Sequence, residues 1–578
     1  MSRRVRIVPE PWLAMPAIEP SARFNDFLDL TTEHCRDVLE SLGEDILPLG
    51  ALGPVVSEIP TLVRCNDPRL PNYPDADTMR QRIALPDAAT FLQAHRGVLI
   101  LGAPHVHPIL WNDTSLATLK SALSNPHLTA LDLSSQTTKP LCTLVDALTK
   151  NMHICHMELS NNYISTDGIT KLAKLFETQA ARPNAGLTIT RLGLGHNNLR
   201  IMDARTLSKI IRCGLETLDV SSNYLCNVGL NILSGAIRTA ALRHLNINAN
   251  RIDHRSMDNF ATTLKRNALL ETLQLDHNQI GSKGAVALAS VLWRPEAVMP
   301  SLKWLSVQNC SISDEGAKAF AQALQHNSVI TRISLGRNQI GPEGATALAL
   351  MFQNNSKIKE IELSGNSIGD VGIGKLMLAL CVNTQVLICH LEMTNLTNDG
   401  VASITKMLEH NSSVSALKLS QNHIGFTGLI ELIPGLLNTS LTILDLSSNI
   451  IQDGIVALEH ALSQNKTLTT LDLHNNLIGN AGAKSLAQVI LNNTGLKKLV
   501  LSNNRFGNAG IESIGNLLQW NETLRIIDLG FCDYDDTGLA FLRPGISKLE
   551  MLGVYYSKQF SPEARAELIA RFPAGVVR

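Results

Sequence analysis

The sequence predicts an α/β solenoid: about sixteen strand–turn–helix units coiled right-handedly, with a parallel sheet on the concave side and helices outside. Three observations predict it. The phrase LxxLxLxxNxI returns along the chain, as LETLQLDHNQI from Leu270, ITRISLGRNQI from Ile330, IKEIELSGNSI from Ile358 and LTTLDLHNNLI from Leu468. Its LxL core alternates with period two, the mark of a short strand with one face buried. Each core is followed by a run with helical spacing, such as GSKGAVALASVLW from Gly281. One such unit cannot bury its apolar faces alone, so neighbours must stack into a continuous core.

The first residue of each core sets the register: Leu131, Met157, Leu192, Leu218, Leu245, Leu273, Leu305, Ile333, Ile361, Leu391, Leu417, Leu444, Leu471, Leu499, Ile527 and Leu552. Most steps are 26 to 28 residues. Asparagines such as Asn223, Asn278, Asn338 and Asn476 follow the strand, where backbone groups lose their sheet partners. Inward amides can satisfy those groups, so a structural role is expected. Cys310 and Cys532 stand at the same position as compact, buriable thiols. Glycines six residues later, among them Gly284, Gly316, Gly344 and Gly482, are a backbone requirement at the helix entry. With the helix phrase GxxGAxxLAxxLxxN, these units are leucine-rich repeats and resemble the ribonuclease-inhibitor type over residues 128 to 557. The resemblance implies a horseshoe-shaped protein-binding scaffold.

Residues 1–95 lack the phrase, contain a helical stretch from Phe24 to Leu42 and a proline-dense segment, and are expected to cap the first repeat. Residues 96–127 form a transition. At the other end, residues 558–578 should hold a capping helix beginning at Ser561, with Pro562 at its first position. Extra residues near Ala181 to Gly186 and around Trp293 to Pro300 are expected as surface loops, and LEMTNLTND from Leu391 reads as a misshapen repeat.

Composition agrees: 44% apolar residues suit a large core, while a net charge of −1 gives no pull toward nucleic acid or an anionic membrane. Prolines interrupt the basic N-terminal segment, and later there is no uninterrupted apolar run of membrane length, so a cytoplasmic protein is expected. The ten cysteines include no CxxC pair and read as reduced core thiols. GLGLG from Gly193 lies on a strand phrase and GNAGAKS from Gly479 lacks the phosphate-loop spacing. Histidine pairs such as His153 and His156 lack partners at metal-ligand spacing. No catalytic, cofactor or metal site is expected, and the chain reads as a non-enzyme.

The binding surface follows from the pleat, because residues between the core leucines face away from the core. That column contains Asp132, Glu158, Asp219, Glu362, Glu392, Asp445, Asp472 and Asp528, against one basic residue, Lys418. Two readings stand: the column attracts a partner with a basic patch, or its carboxylates keep a strand face soluble. The flanking column adds Trp304 and Arg332, with His156, Arg191, His244 and His390. Trp304 is either a binding hot spot or packing against the next repeat. Finally, residues 31 to 65 resemble the segment preceding the repeats in the leucine-rich-repeat subunit of the dynein regulatory complex. Leu47-Pro48-Leu49 and Arg64-Cys65 carry that resemblance. It implies a structural subunit of the nexin link in a cilium or flagellum, docked to other axonemal subunits. The competing reading is an intracellular recognition or effector module that binds and regulates an enzyme.

Overall fold

The computed structural model describes residues 98–100, short pieces between 120 and 151, and 153–554 apart from 182–188, 294–300 and 438, with parts of 560–577. They belong to one compact unit, Ala84–Pro104 with Pro108–Arg578. The helical stretch, the proline-dense segment and the 31–65 resemblance lie outside the described residues, as do most of the two insertions.

Among the described residues, eighteen short strands form one parallel sheet, from Val98–Ile100 to Val576–Val577, and helices on its other side separate most neighbours. Register is kept by the core residues: Leu245 pairs with Leu273, Leu273 with Leu305, and Leu305 with Ile333. These side chains are all but fully buried, as are those facing them from the helices, such as Phe320 and Leu348. Packed helices need about 8–10 Å of separation against 4.7–4.9 Å for strands, which puts the sheet on the inner side of each wedge-shaped repeat. The sixteen expected strands are present. One further strand stands at each end, so the sheet extends beyond residues 128–557: Leu99 pairs with Leu131, and Leu552 with Val577. The Ser561 hydroxyl accepts from Ala564 N at 3.1 Å.

The asparagines form the expected buried ladder. Asn223 donates from Nδ2 to the carbonyls of Leu194 and Val220 at 3.0 and 2.9 Å, and its Oδ1 accepts from the N–H groups of Asn197 and Leu199 at 3.0 and 2.9 Å. The residue before each ladder position turns the chain in the left-handed region, as at Ser222 and Arg337, at a backbone cost the ladder bonds offset. A second ladder uses the asparagine that ends the helix phrase. Asn355 donates to Leu324 O and Asn327 O and accepts from Lys357 N and Ile358 N. Both strand ends are thus closed by amides.

Two expectations need correction. The repeat at LEMTNLTND is regular, with its strand at Ile388–His390 and Cys389, not Leu391, as the core residue between Ile361 and Leu417. Thr394 stands at its ladder position, its hydroxyl donating to Leu391 O at 2.9 Å and its N–H donating to Asn422 Oδ1 at 3.0 Å. The register was obscured because Cys and Thr replace the signature Leu and Asn. The helix-entry glycines, in turn, answer to close packing. A Cβ on Gly344 would lie 2.4 Å from Asp314 Oδ1, and that carboxylate caps the helix by accepting from Gly341 N and Gly344 N.

Candidate partner-binding surface

Each strand presents two residues on the sheet face, one on either side of its core residue. Asp132, Glu158, Asp219, Glu362, Asp445, Asp472 and Asp528 all stand on this face and all are half-buried. They share a local role: each carboxylate accepts from the N–H two residues on, as Asp219 does from Ser221 at 2.7 Å, Asp445 from Ser447 at 2.8 Å and Asp472 from His474 at 2.9 Å. Asn246 makes the same bond to Asn248 N with a neutral amide, so the turn does not require charge. Burial raises five of them, Glu158, Asp219, Glu362, Asp445 and Asp472. Burial pushes Glu158 up to about 7, and burial with the field of Asp445 pushes Asp472 up to about 7. Asp219 and Asp445 are raised by burial as well.

The register correction moves two residues. His390 takes the central column in place of Glu392, and Glu392 follows in the turn. Trp304, Arg332, Glu360 and His390 then form a chain across four adjacent strands. The Arg332 guanidinium lies 4.2 Å above the Trp304 ring, and Trp304 Nε1 donates to Ser334 Oγ at 3.3 Å, so Trp304 packs against its neighbour. Arg332 Nη2 lies 3.2 Å from Glu360 Oε1, and His390 Nε2 lies 3.3 Å from the same oxygen. On its other edge, His390 Nδ1 is 3.2 Å from Glu362 Oε2 and 3.5 Å from Glu392 Oε1. Burial is the largest single influence on this imidazole and works against its charge. The bonds to Glu360 and Glu392 and the fields of Glu362 and Glu392 outweigh it, lifting His390 to about 9. Asp276 is a further buried acid in the turn row, accepting from Ser306 Oγ at 2.6 Å and Gln308 N at 2.7 Å. Glu360 and Asp276 were missed as site residues because their partners sit a repeat away in sequence, and His390, expected in the flanking column, lies in the central one.

Comparison with known proteins finds leucine-rich repeats. The leucine-rich-repeat family model matches residues 266–289, 298–321, 326–349, 354–377, 437–457, 464–487 and 492–515. The mouse ribonuclease inhibitor is 24% identical over 207 residues, 35% of this chain and 43% of its own. The chain is a leucine-rich-repeat protein of the ribonuclease-inhibitor type. Mouse NACHT, LRR and PYD domains-containing protein 4C is 25% identical over 235 residues, 40% of this leucine-rich-repeat chain and 23% of the relative. The match therefore spans less than a quarter of that relative. Among solved structures, the TLR13–ssRNA13 complex aligns over 78% of the chain and 62% of its own, with 17% identity and a TM-score of 0.44. No helix among the described residues is long and apolar enough to cross a membrane.

Proposed function

We propose that this repeat protein is a non-catalytic scaffold that holds a protein partner with a basic patch against the acidic sheet face. One observation carries the reading: the column keeps carboxylates at Asp219, Asp445, Asp472 and Asp528, where Asn246 supplies the same turn bond without charge. Charge beyond the needs of the turn is available for recognition. At the level of the assembly, the resemblance at residues 31 to 65 supports a structural subunit of the axonemal nexin–dynein regulatory complex. Similarity to ribonuclease inhibitor supports the second reading, a recognition module that regulates an enzyme.

The face is tested with a variant carrying asparagine at Asp219, Asp445, Asp472 and Asp528, which keeps the turn bonds. Binding of a fluorescent lysine-rich decapeptide at pH 8 should weaken in the variant and in high salt. Equal binding by both proteins at low salt assigns the carboxylates to solubility. Co-sedimentation of the tagged protein with salt-washed axonemes tests the assembly, and a diffuse cytosolic signal in a flagellated cell favours the recognition module.

A further inference from the structure

We propose that Glu362, His390 and Glu392 form a binding site for one divalent transition-metal cation of the zinc class on the sheet face. One ligand atom from each of these three residues lies within 4.8 Å of those of the other two. His390 Nδ1 stands 3.2 Å from Glu362 Oε2 and 3.5 Å from Glu392 Oε1. In a tetrahedral zinc shell, bonds of about 2.0–2.2 Å place neighbouring ligand atoms about 3.3–3.6 Å apart. Those two separations therefore suit a cation seated between the groups.

The surrounding contacts aim each ligand. Glu362 Oε1 accepts from Ser364 N at 2.7 Å, leaving Oε2 toward the cation. Glu392 Oε2 accepts from the Ser364 hydroxyl, leaving Oε1. His390 Nε2 faces Glu360 Oε1 at 3.3 Å, so the neutral imidazole carries its proton on Nε2 and its lone pair on Nδ1. A carboxylate behind a ligating histidine sets tautomer and ring orientation in this manner. Glu360 is itself held by Arg332, which rests on Trp304. The trio comes from two adjacent repeats, so its geometry depends on the register set by Cys389.

The donor set selects the class of ion. One imidazole and two carboxylates suit zinc and its neighbours, whereas calcium takes six to eight oxygens and magnesium keeps most of its water. Three protein ligands leave a fourth position for water or a partner's side chain. The cation and a proton compete for Nδ1, so binding should release a proton and weaken as pH falls.

Calorimetric titration of the full chain, freed of metal by a chelator, with zinc chloride tests the site. We expect one tight site per chain that weakens at least tenfold in His390→Gln and in Glu392→Gln and is kept in Glu343→Gln, a carboxylate on a distant helix. Circular dichroism of each variant checks folding. Zinc anomalous scattering between Glu362 and His390 would locate the ion independently of the variants. Unchanged zinc affinity in the folded His390→Gln protein, or no anomalous peak at this position in zinc-soaked crystals, overturns the proposal.

Discussion

Replacing Asn338 by alanine removes a fully buried amide from the middle of the first ladder. Its Nδ2 donates to Val307 O at 2.7 Å and Leu335 O at 3.0 Å, while Oδ1 accepts from Cys310 N at 2.8 Å and, more loosely, from Ile312 N at 3.4 Å. Three well-formed bonds at about 1 kcal/mol each give a loss of about 3 kcal/mol, since alanine leaves the backbone partners unpaired. Repeat arrays can unfold in parts, so urea denaturation should be joined by native-state hydrogen exchange. If opening is local, the amides of Cys310 and Ile312 should exchange about a hundredfold faster, at about 1.4 kcal/mol per tenfold. Asn354→Ala is the control: this exposed amide makes one 3.2 Å bond to Leu350 O, which water can replace, and should cost less than about 0.5 kcal/mol. Equal effects of the two substitutions would refute the ladder argument. Asn338→Cys should fall between them, because the Cys310 thiol at the same position already donates to Leu275 O and Gln308 O.

Further outcomes follow from packing and charge. Gly344→Ala should destabilise by more than about 1 kcal/mol by displacing Asp314, whereas Gly235→Ala meets nothing within 4 Å in its helix and should stabilise by up to about 1 kcal/mol; urea midpoints compare them. Glu158 has its folded pKa raised from 4.5 to about 7, so its ionisation weakens the fold as pH rises through that window. Glu158→Gln should flatten the fall in melting temperature there, and an unchanged slope would sink the assignment. For metal-free protein the imidazolium of His390, raised from 6.5 to about 9, contributes stability that is complete below about 6.5 and lost as pH climbs through 9. Loss of that dependence in His390→Gln is the expected result. Burial pushes the thiols of Cys310, Cys389 and Cys532 up to about 12, so native protein should resist iodoacetamide at these three positions at pH 8.

The solenoid was legible because its signals repeat: one ambiguous leucine is settled by the same position in the repeats on either side. Repetition also explains the error at Leu391. Cys389 and Thr394 replace the two signature residues of one repeat, and Leu391 supplied a false core match two residues late. Equal spacing of 28 residues from Ile361 to Cys389 and from Cys389 to Leu417 was the signal that could have corrected it. The second ladder was visible as the last asparagine of the helix phrase, yet its role depends on reaching the carbonyls of the preceding repeat. The trio of Glu362, His390 and Glu392 was hidden for the same physical reason. Residues a whole repeat apart become neighbours only when the strand register is correct, and a slip of two residues exchanges the columns of the sheet face.

Carboxyl-group footprinting of the chain with and without its partner, captured from the native cell, shows whether the acidic sheet face is the surface that is covered. Asp219, Asp445, Asp472 and Asp528 should lose reactivity in the complex, while Glu343 and Glu512 on the helices remain labelled. Protection of the helix carboxylates with the sheet column unchanged would contradict docking on the sheet face.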